Sequence, residues 1–382
     1  MLRSRVASAA EFTLEAAARL TSLDCSYSAV RSLEGMPYLP NLTSLNFSFT
    51  ELGSLRGLPP QAKVRALSLQ SSNVSVFDEL AHLPALERLA MWDTPVNDLT
   101  ALANTPGLVR LDAGETPLTS LATLPSLGQL NFLSVSDGAI STLRGMPTLP
   151  KLETLYLNNN PITSFEGMPE LGSLLVLQAS GLRTPSFAGL PALPRLGSLA
   201  ASNSGLTSFV GLQSLPSLTY LSVTHNRLTT WAGLPTMPLL VRLDASANPF
   251  TTTVGFASQP SMQTLNIDHT LVTDLAGLPS LPKLTRLDAS STSVTQVGGM
   301  RLQPSLVTMN VEDSPVADLS GWTLQPVLRE LYFRGHSITR VEPLAGQTSL
   351  RTLMFDSSVG IVDASTLQPL VDAGCTVDIL PR

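Results

Sequence analysis

A single period runs through this chain and decides what it can fold into. Stepping by 22 from Leu23 lands on Leu45, Leu67, Leu89, Leu111, Leu133, Leu155, Leu177, Leu199, Leu221, Leu243, Leu265, Leu287, Met309, Leu331 and Leu353. Fifteen of these sixteen positions are Leu, with no insertion or deletion between them. A fixed period in this range is the signature of a stacked repeat, in which each unit buries its apolar face only against its neighbours.

Three residues before each marker stands another apolar residue, such as Leu20, Val64, Leu152, Met262 and Leu350. Two residues after it stands a third, as in Phe47, Leu69, Ala113, Leu157, Val223 and Phe333. The unit reads LxxLxL. Alternation over its last apolar positions is that of a short strand with one buried face, and parallel stacking of sixteen such strands at about 4.8 Å makes a ribbon roughly 70 Å long.

The repeat continues as LxxLxLxx(S/T/N)x(L/V/I)xx(L/F)xG(L/M)PxLP, clearest over Leu152 to Pro169 and Leu218 to Pro238. It resembles the leucine-rich repeat superfamily over about residues 20 to 360. In its 22-residue length it resembles the class found in the leucine-rich regulatory subunit of protein phosphatase 1 and in bacterial internalins. The resemblance implies a right-handed α/β-type solenoid, a horseshoe with about 16 short parallel strands on its concave face.

Five residues after the marker the family usually has Asn, and this chain has it only at 160, 226 and 248. Ten repeats place Ser or Thr there, whose hydroxyls are expected to bond a backbone group of a neighbouring turn with fewer bonds per rung. The return segment carries Gly-Leu/Met-Pro and a later Pro, as in Gly145 to Pro147 with Pro150. Two prolines at that spacing exclude an α-helix, so the convex side is expected to be 3₁₀ turns and extended chain. Leu182 in the polar turn position and Thr253 in an apolar one mark the expected irregular loops.

Caps are expected at both ends, because a solenoid otherwise exposes its core. Ser8 with Glu11 forms a capping box opening a helix over 9–20. Ala364 to Ala373 reads as a helix stopped by Gly374, followed by a strand over Thr376 to Leu380. The expectation is one domain over 1–382: cap 1–19, repeats 20–362, cap 363–382. Cys25 and Cys375, one further 22-residue step beyond Leu353, fall at opposite ends as free thiols.

With 43% hydrophobic and 14% charged residues the chain can bury a large core. A net charge of −6 argues against nucleic acid as partner. Two Cys and four His give no recognisable metal module, and no apolar run reaches the length of a membrane span. No cofactor, metal or small-molecule substrate is expected. The start of the chain lacks the apolar core of a secretory signal, and its Arg, Ser and Ala resemble an import sequence in composition alone. The expected location is intracellular, cytoplasmic or cytoskeletal, with the mitochondrion as alternative.

Functional residues are sought one before the marker and one, three and four after it, where side chains point away from the core. Tyr27, Phe49, Trp92, Phe132, Tyr156, Tyr220 and Tyr332 lie there, and such rings either stack on neighbours or meet a partner. Asp244, Asp268, Asp288, Glu312 and Asp313 give the second half an acidic patch, offset by Arg242 and Arg286. Local pairing of Arg242 with Asp244, Arg286 with Asp288 and Arg110 with Asp112 is the competing reading. His225 and His269 share one position two repeats apart, roughly 10 Å on strand spacing, too far to bridge one ion. No nucleophile elbow or phosphate loop is present. The sequence therefore points to a non-enzymatic scaffold holding a protein partner on the concave face. The alternative is a permanent subunit of a cytoskeletal, ciliary or organellar assembly, with a phosphatase-1 regulatory protein behind both.

Overall fold

The computed structural model describes residues 15, 18–34, 36, 39–317, 319–333, 338, 340–356 and 364–380. They divide into two compact units, Met1–Leu182 with Pro191–Leu193, and Arg183–Leu190 with Pro194–Arg382. The boundary falls on the rung whose polar turn position holds Leu182, and the chain bends at 185–186 just beyond it.

In the first unit eight strands follow one another: β1 (Ser22–Asp24), β2 (Ser44–Asn46), β3 (Ala66–Ser68), β4 (Arg88–Ala90), β5 (Arg110–Asp112), β6 (Phe132–Ser134), β7 (Thr154–Tyr156) and β8 (Val176–Gln178). Each pairs in parallel with the next, marker Leu opposite marker Leu. The second unit continues with β9 (Ser198–Ala200), β10 (Tyr220–Ser222), β11 (Arg242–Asp244), β12 (Thr264–Asn266), β13 (Arg286–Asp288), β14 (Thr308–Asn310), β15 (Glu330–Phe333), β16 (Thr352–Asp356) and β17 (Thr376–Leu380). These are also parallel and in register. Strands of three residues suffice because the ladder runs on into the turn, as where Phe47 N–H donates to Ser68 O (2.8 Å) and Phe49 N–H to Gln70 O (2.7 Å).

Marker leucines and the apolar residues around them are buried in both units. The return segments follow one local rule. Of the glycines twelve residues after the marker, Gly145, Gly167, Gly211 and Gly233 take a φ of 82 to 87° and turn the chain, while Gly277 does so without a positive φ. A β-carbon on Gly167 would lie 2.6 Å from Arg144 Cα, so the neighbouring rung also requires its absence. Rungs with Glu79, Ala101 or Pro343 in that place wind 3₁₀ turns instead, over Asp78–His82, Thr100–Asn104 and Glu342–Leu344. The 3₁₀ and extended return segments match expectation.

The rung at Thr253 keeps the same turn pattern as its neighbours, contrary to the irregular loop expected there. Volume explains it. Trp231 is buried and stacks on Phe250 at 3.9 Å between centroids, and Phe256 meets its edge at 4.8 Å. These larger rings fill the space that Thr253 leaves, and Trp231 Nε1 donates to Thr252 O (3.0 Å).

The polar turn position also behaves differently from expectation. Asn160 donates through Nδ2 to Val135 O (2.8 Å) in the preceding rung and to Leu157 O (2.9 Å) in its own, and accepts from Ile140 N–H (2.9 Å). Thr50, Thr94, Thr116, Thr270 and Thr292 donate instead to the carbonyl three residues back within their own rung, at 2.6 to 2.8 Å. A hydroxyl on the β-carbon reaches its own turn, whereas the longer amide also reaches the preceding rung. Among these hydroxyls Ser314 does reach the preceding rung, at Ala289 O (3.3 Å).

A second polar row was not foreseen. Gln303, Gln325 and Gln347, all buried, accept through Oε1 from the backbone N–H groups of Leu281, Gln303 and Gln325, each at 2.8 Å. At the C-terminal end a 3₁₀ turn over Ala364–Leu367 leads into a helix over Gln368–Asp372, Gly374 stops it at a φ of 87°, and β17 pairs with β16. That is the expected cap with one correction: Leu353 faces Val377, so the last step is 24 residues and Cys375 precedes the strand. Cys375 and Cys25 are buried free thiols, and burial pushes the Cys375 thiol up. Of the helix expected over 9–20, the capping box lies outside the described residues, Glu15 and Ala18 are helical, and the helix has ended by Arg19 and Leu20.

Candidate partner-binding face

Each strand turns its marker leucine into the core, so the residues on either side face the opposite way, and the chain then enters a turn three and four residues on. The fourth residue takes a left-handed backbone in every rung from Tyr27 to Asp313, with φ of 50 to 60° for thirteen non-glycine residues and 70° for Gly181. Asp93, Asp137, Asn159, Asn203, His225, His269 and Asp313 are among them, residue types that tolerate this region best. His225 and His269 thus have a backbone reason for their shared position, and both side chains are exposed.

In the first unit, half-buried Trp92 lies beside Gly114, where a β-carbon would come 2.9 Å from the indole Cδ1. Glycine there makes room for the ring. Half-buried Phe132 and Tyr156 on neighbouring strands meet edge to face at 5.3 Å. Arg110 lays its guanidinium 3.4 Å from the Phe132 ring centroid instead of pairing with Asp112. Tyr27 and Phe49 stack at 4.5 Å with the tyrosine 75% exposed.

The second unit carries the acidic candidates. Asp244 accepts from the Ser246 hydroxyl (2.8 Å) and lies 3.8 Å from Arg242, while Asp288 accepts from the Ser290 hydroxyl (2.7 Å) and lies 3.6 Å from Arg286. Asp268 Oδ2 meets His269 Nδ1 at 2.8 Å. These carboxylates are held by their own strand and turn, as the competing reading anticipated for two of them. Tyr220 lies 5.9 Å from the Arg242 guanidinium. Glu312, Tyr332, Arg286, Asn310 and Met354 line a cavity of about 260 Å³, and the Tyr332 phenol donates to Glu330 (3.4 Å). Burial, then the charge of Glu330, raises the pKa of that phenol.

Sequence reasoning passed over the exposed carboxylates of Asp93, Glu115 and Asp137, which stand in the left-handed position of three successive rungs. The signal was available in the same 22-residue step. Among the described residues no group of three or more His, Cys, Asp or Glu is placed to hold a metal ion, and no helix is long and apolar enough to cross a membrane. What the face offers is aromatic area, fixed dipoles and charge at a regular spacing, which is chemistry for recognition.

A leucine-rich repeat family model matches residues 151–174. Among solved structures, a leucine-rich repeat protein of Leptospira interrogans superposes with a TM-score of 0.68 at 20% identity, over 96% of this chain and 97% of that one. The functional domain of InlJ of Listeria monocytogenes gives 0.57 at 21%, over 93% and 71%, and the internalin InlF of the same organism 0.51 at 18%, over 100% and 93%. No curated protein matches the chain in sequence. At these identities the likeness shows the fold, a parallel-strand solenoid with very little helix.

Proposed function

We propose that this leucine-rich repeat protein is a non-enzymatic scaffold that holds a protein partner on its strand face, the concave face of such folds, with residues 1–382 serving as one repeat domain. The observation that carries this reading is the set of half-buried rings on that face, Trp92, Phe132 and Tyr156 in one unit and Tyr220 and Tyr332 in the other. Rings fixed by a strand register supply contact area with little entropy left to lose on binding. The acidic side chains Asp244, Asp268, Asp288 and Glu312, with His225 and His269, frame the rings of the second unit. No cofactor takes part, and we place the protein inside the cell.

A tagged copy purified from its native cells at two salt concentrations tests the reading. A near-equimolar protein that is lost from Trp92→Ala with Tyr156→Ala, or from Tyr220→Ala with Tyr332→Ala, supports it. Recovery of the bare protein overturns it. A second reading, a permanent subunit of a large assembly, is favoured by exposed apolar side chains away from the strand face of the second unit, including Val210, Val254, Leu302 and Leu324. Many proteins at fixed ratio that resist salt are its expected result. The phosphatase-1 regulatory reading stands behind both, since Ser or Thr replaces most of the turn Asn.

A further inference from the structure

The geometry points to a basic segment of a protein partner as the occupant of the strand face of β4 to β8, seated between the rings of Trp92, Phe132 and Tyr156 and the carboxylates of Asp93, Glu115 and Asp137. This rests on the scaffold reading and names the chemistry of the partner. The three carboxylates occupy one column, and the ladder bonds from Asp93 N–H to Gly114 O (3.0 Å), Glu115 N–H to Ser136 O (2.9 Å) and Asp137 N–H to Asn158 O (2.8 Å) fix their spacing. On parallel strand spacing they stand about 5 Å apart.

Three like charges at that distance repel one another, and nothing local relieves them. Among the described residues no Lys, Arg or His lies within ion-pair distance of Asp93, Glu115 or Asp137. Asp137 accepts a neutral bond from Asn159 Nδ2 (2.7 Å). The contrast with Asp244, Asp268 and Asp288 is direct, since each of those meets its own Arg or His. Beside the acidic column, Ser136 is only 9% exposed and its hydroxyl has no hydrogen-bond partner. It lies three residues after its marker, in the row of Trp92 and Gly114, and is enclosed there.

The apolar floor is equally specific. Arg110 covers one face of Phe132 and shows that the ring accepts a cation, Tyr156 meets its edge, and Trp92 stands beside Gly114 two rungs before. Lysine and arginine carry an aliphatic stem and a charged head, which suits rings on one side and carboxylates on the other. Neither Arg88 nor Arg110 shares the acidic column, so a partner entering from that side meets negative charge first.

The test uses the full chain and two acetylated, amidated peptides, Lys-Phe-Lys-Phe-Lys and Glu-Phe-Glu-Phe-Glu, titrated by fluorescence anisotropy. The lysine peptide is expected to bind and the glutamate peptide not. Asp93→Asn, Glu115→Asn and Asp137→Asn together remove the charge while keeping a residue type that accepts a left-handed backbone, so the variant is expected to fold, checked by its melting curve. It should bind the lysine peptide about tenfold more weakly. Asp78→Asn, Glu79→Gln and Glu170→Gln, three acids on return segments, control for net charge and should change nothing. Equal binding of both peptides, or unchanged binding by the neutralised chain, overturns the proposal. If the native partner is lost on Trp92→Ala and Phe132→Ala but kept by the neutralised chain, the scaffold reading stands and the basic occupant falls.

Discussion

Asn226 and Thr116 stand at the same place in their rungs and differ in reach. Asn226 donates through Nδ2 to Ala201 O (2.8 Å) and Val223 O (2.9 Å) and accepts through Oδ1 from Ser204 N–H (2.9 Å) and Leu206 N–H (3.1 Å). Three of these partners belong to the preceding rung. Thr116 makes one bond, to Ala113 O (2.8 Å) in its own turn. The asparagine rung is stitched to its neighbour through a side chain, whereas the threonine rung leaves that junction to strand pairing and apolar contact. A repeat protein is a chain of such junctions, so its local stability follows where the stitches are.

The comparison breaks first at its strong end. Asn226→Ala removes the bonds that Ala201 O, Ser204 N–H and Leu206 N–H make to the amide and should cost about 3 kcal/mol in denaturant unfolding. A loss below a third of that would mean water replaces the amide and the stitch is not structural. Next in size is Gln325→Leu, which removes the acceptor of the Gln303 backbone N–H while the bonds of Gln347 to the backbone of residue 325 remain. About 2 kcal/mol is expected. Leucine fills the equivalent position at Leu127, Leu149 and Leu171, so a neutral result would show that these junctions need no amide at all.

The weak end sharpens the difference. Thr116→Ala should cost about 1 kcal/mol, the worth of one bond to a neighbouring carbonyl. Thr116→Asn tests the cause of the gap, since the backbone groups that Asn226 uses have counterparts 22 residues apart throughout the repeat. It is expected to raise the melting temperature. A fall would show that hydroxyl rungs are shaped against the longer side chain, and that the rung types are not interchangeable.

What the sequence made legible was whatever repeats by residue type: the marker leucines and hence the strand register, the glycine and proline that turn the return segment, and the pairing of Arg242 and Arg286 two residues from their aspartates. Hidden features depend on reach or on volume shared between rungs. Trp231 and Phe250 correct for Thr253 from different rungs, and Gln303, Gln325 and Gln347 bond backbone 22 residues away from a position that elsewhere holds leucine. The left-handed column was hidden for another reason. Tyr27, Phe49, His225 and His269 of that column were weighed as outward-pointing chemistry and the rest were passed over, although Asp93, Asn159 and His225 share a backbone preference before they share any function. For the candidate site, the rings were readable, while the distinction between the self-paired acids of one unit and the unpaired acids of the other required coordinates.

Asp98 marks the small end of the series, a side-chain oxygen serving one local backbone group in full contact with water. Its carboxylate accepts from Thr100 N–H (2.7 Å) at the start of a 3₁₀ turn, and that bond, with the Thr100 hydroxyl, holds its pKa below the ordinary carboxylate value. A depressed folded pKa means the unfolded chain binds the proton more readily, so the contribution is present above the unfolded pKa and is lost as pH falls through the folded one. Asp98→Asn keeps an oxygen to accept the bond and removes the titration. The stability difference between the two chains should therefore favour aspartate at neutral pH and shrink on acidification, with the smallest amplitude of the five because solvent screens the group. A difference constant with pH would show that the amide oxygen alone accounts for the turn, as it does for Asn226 in the buried rung.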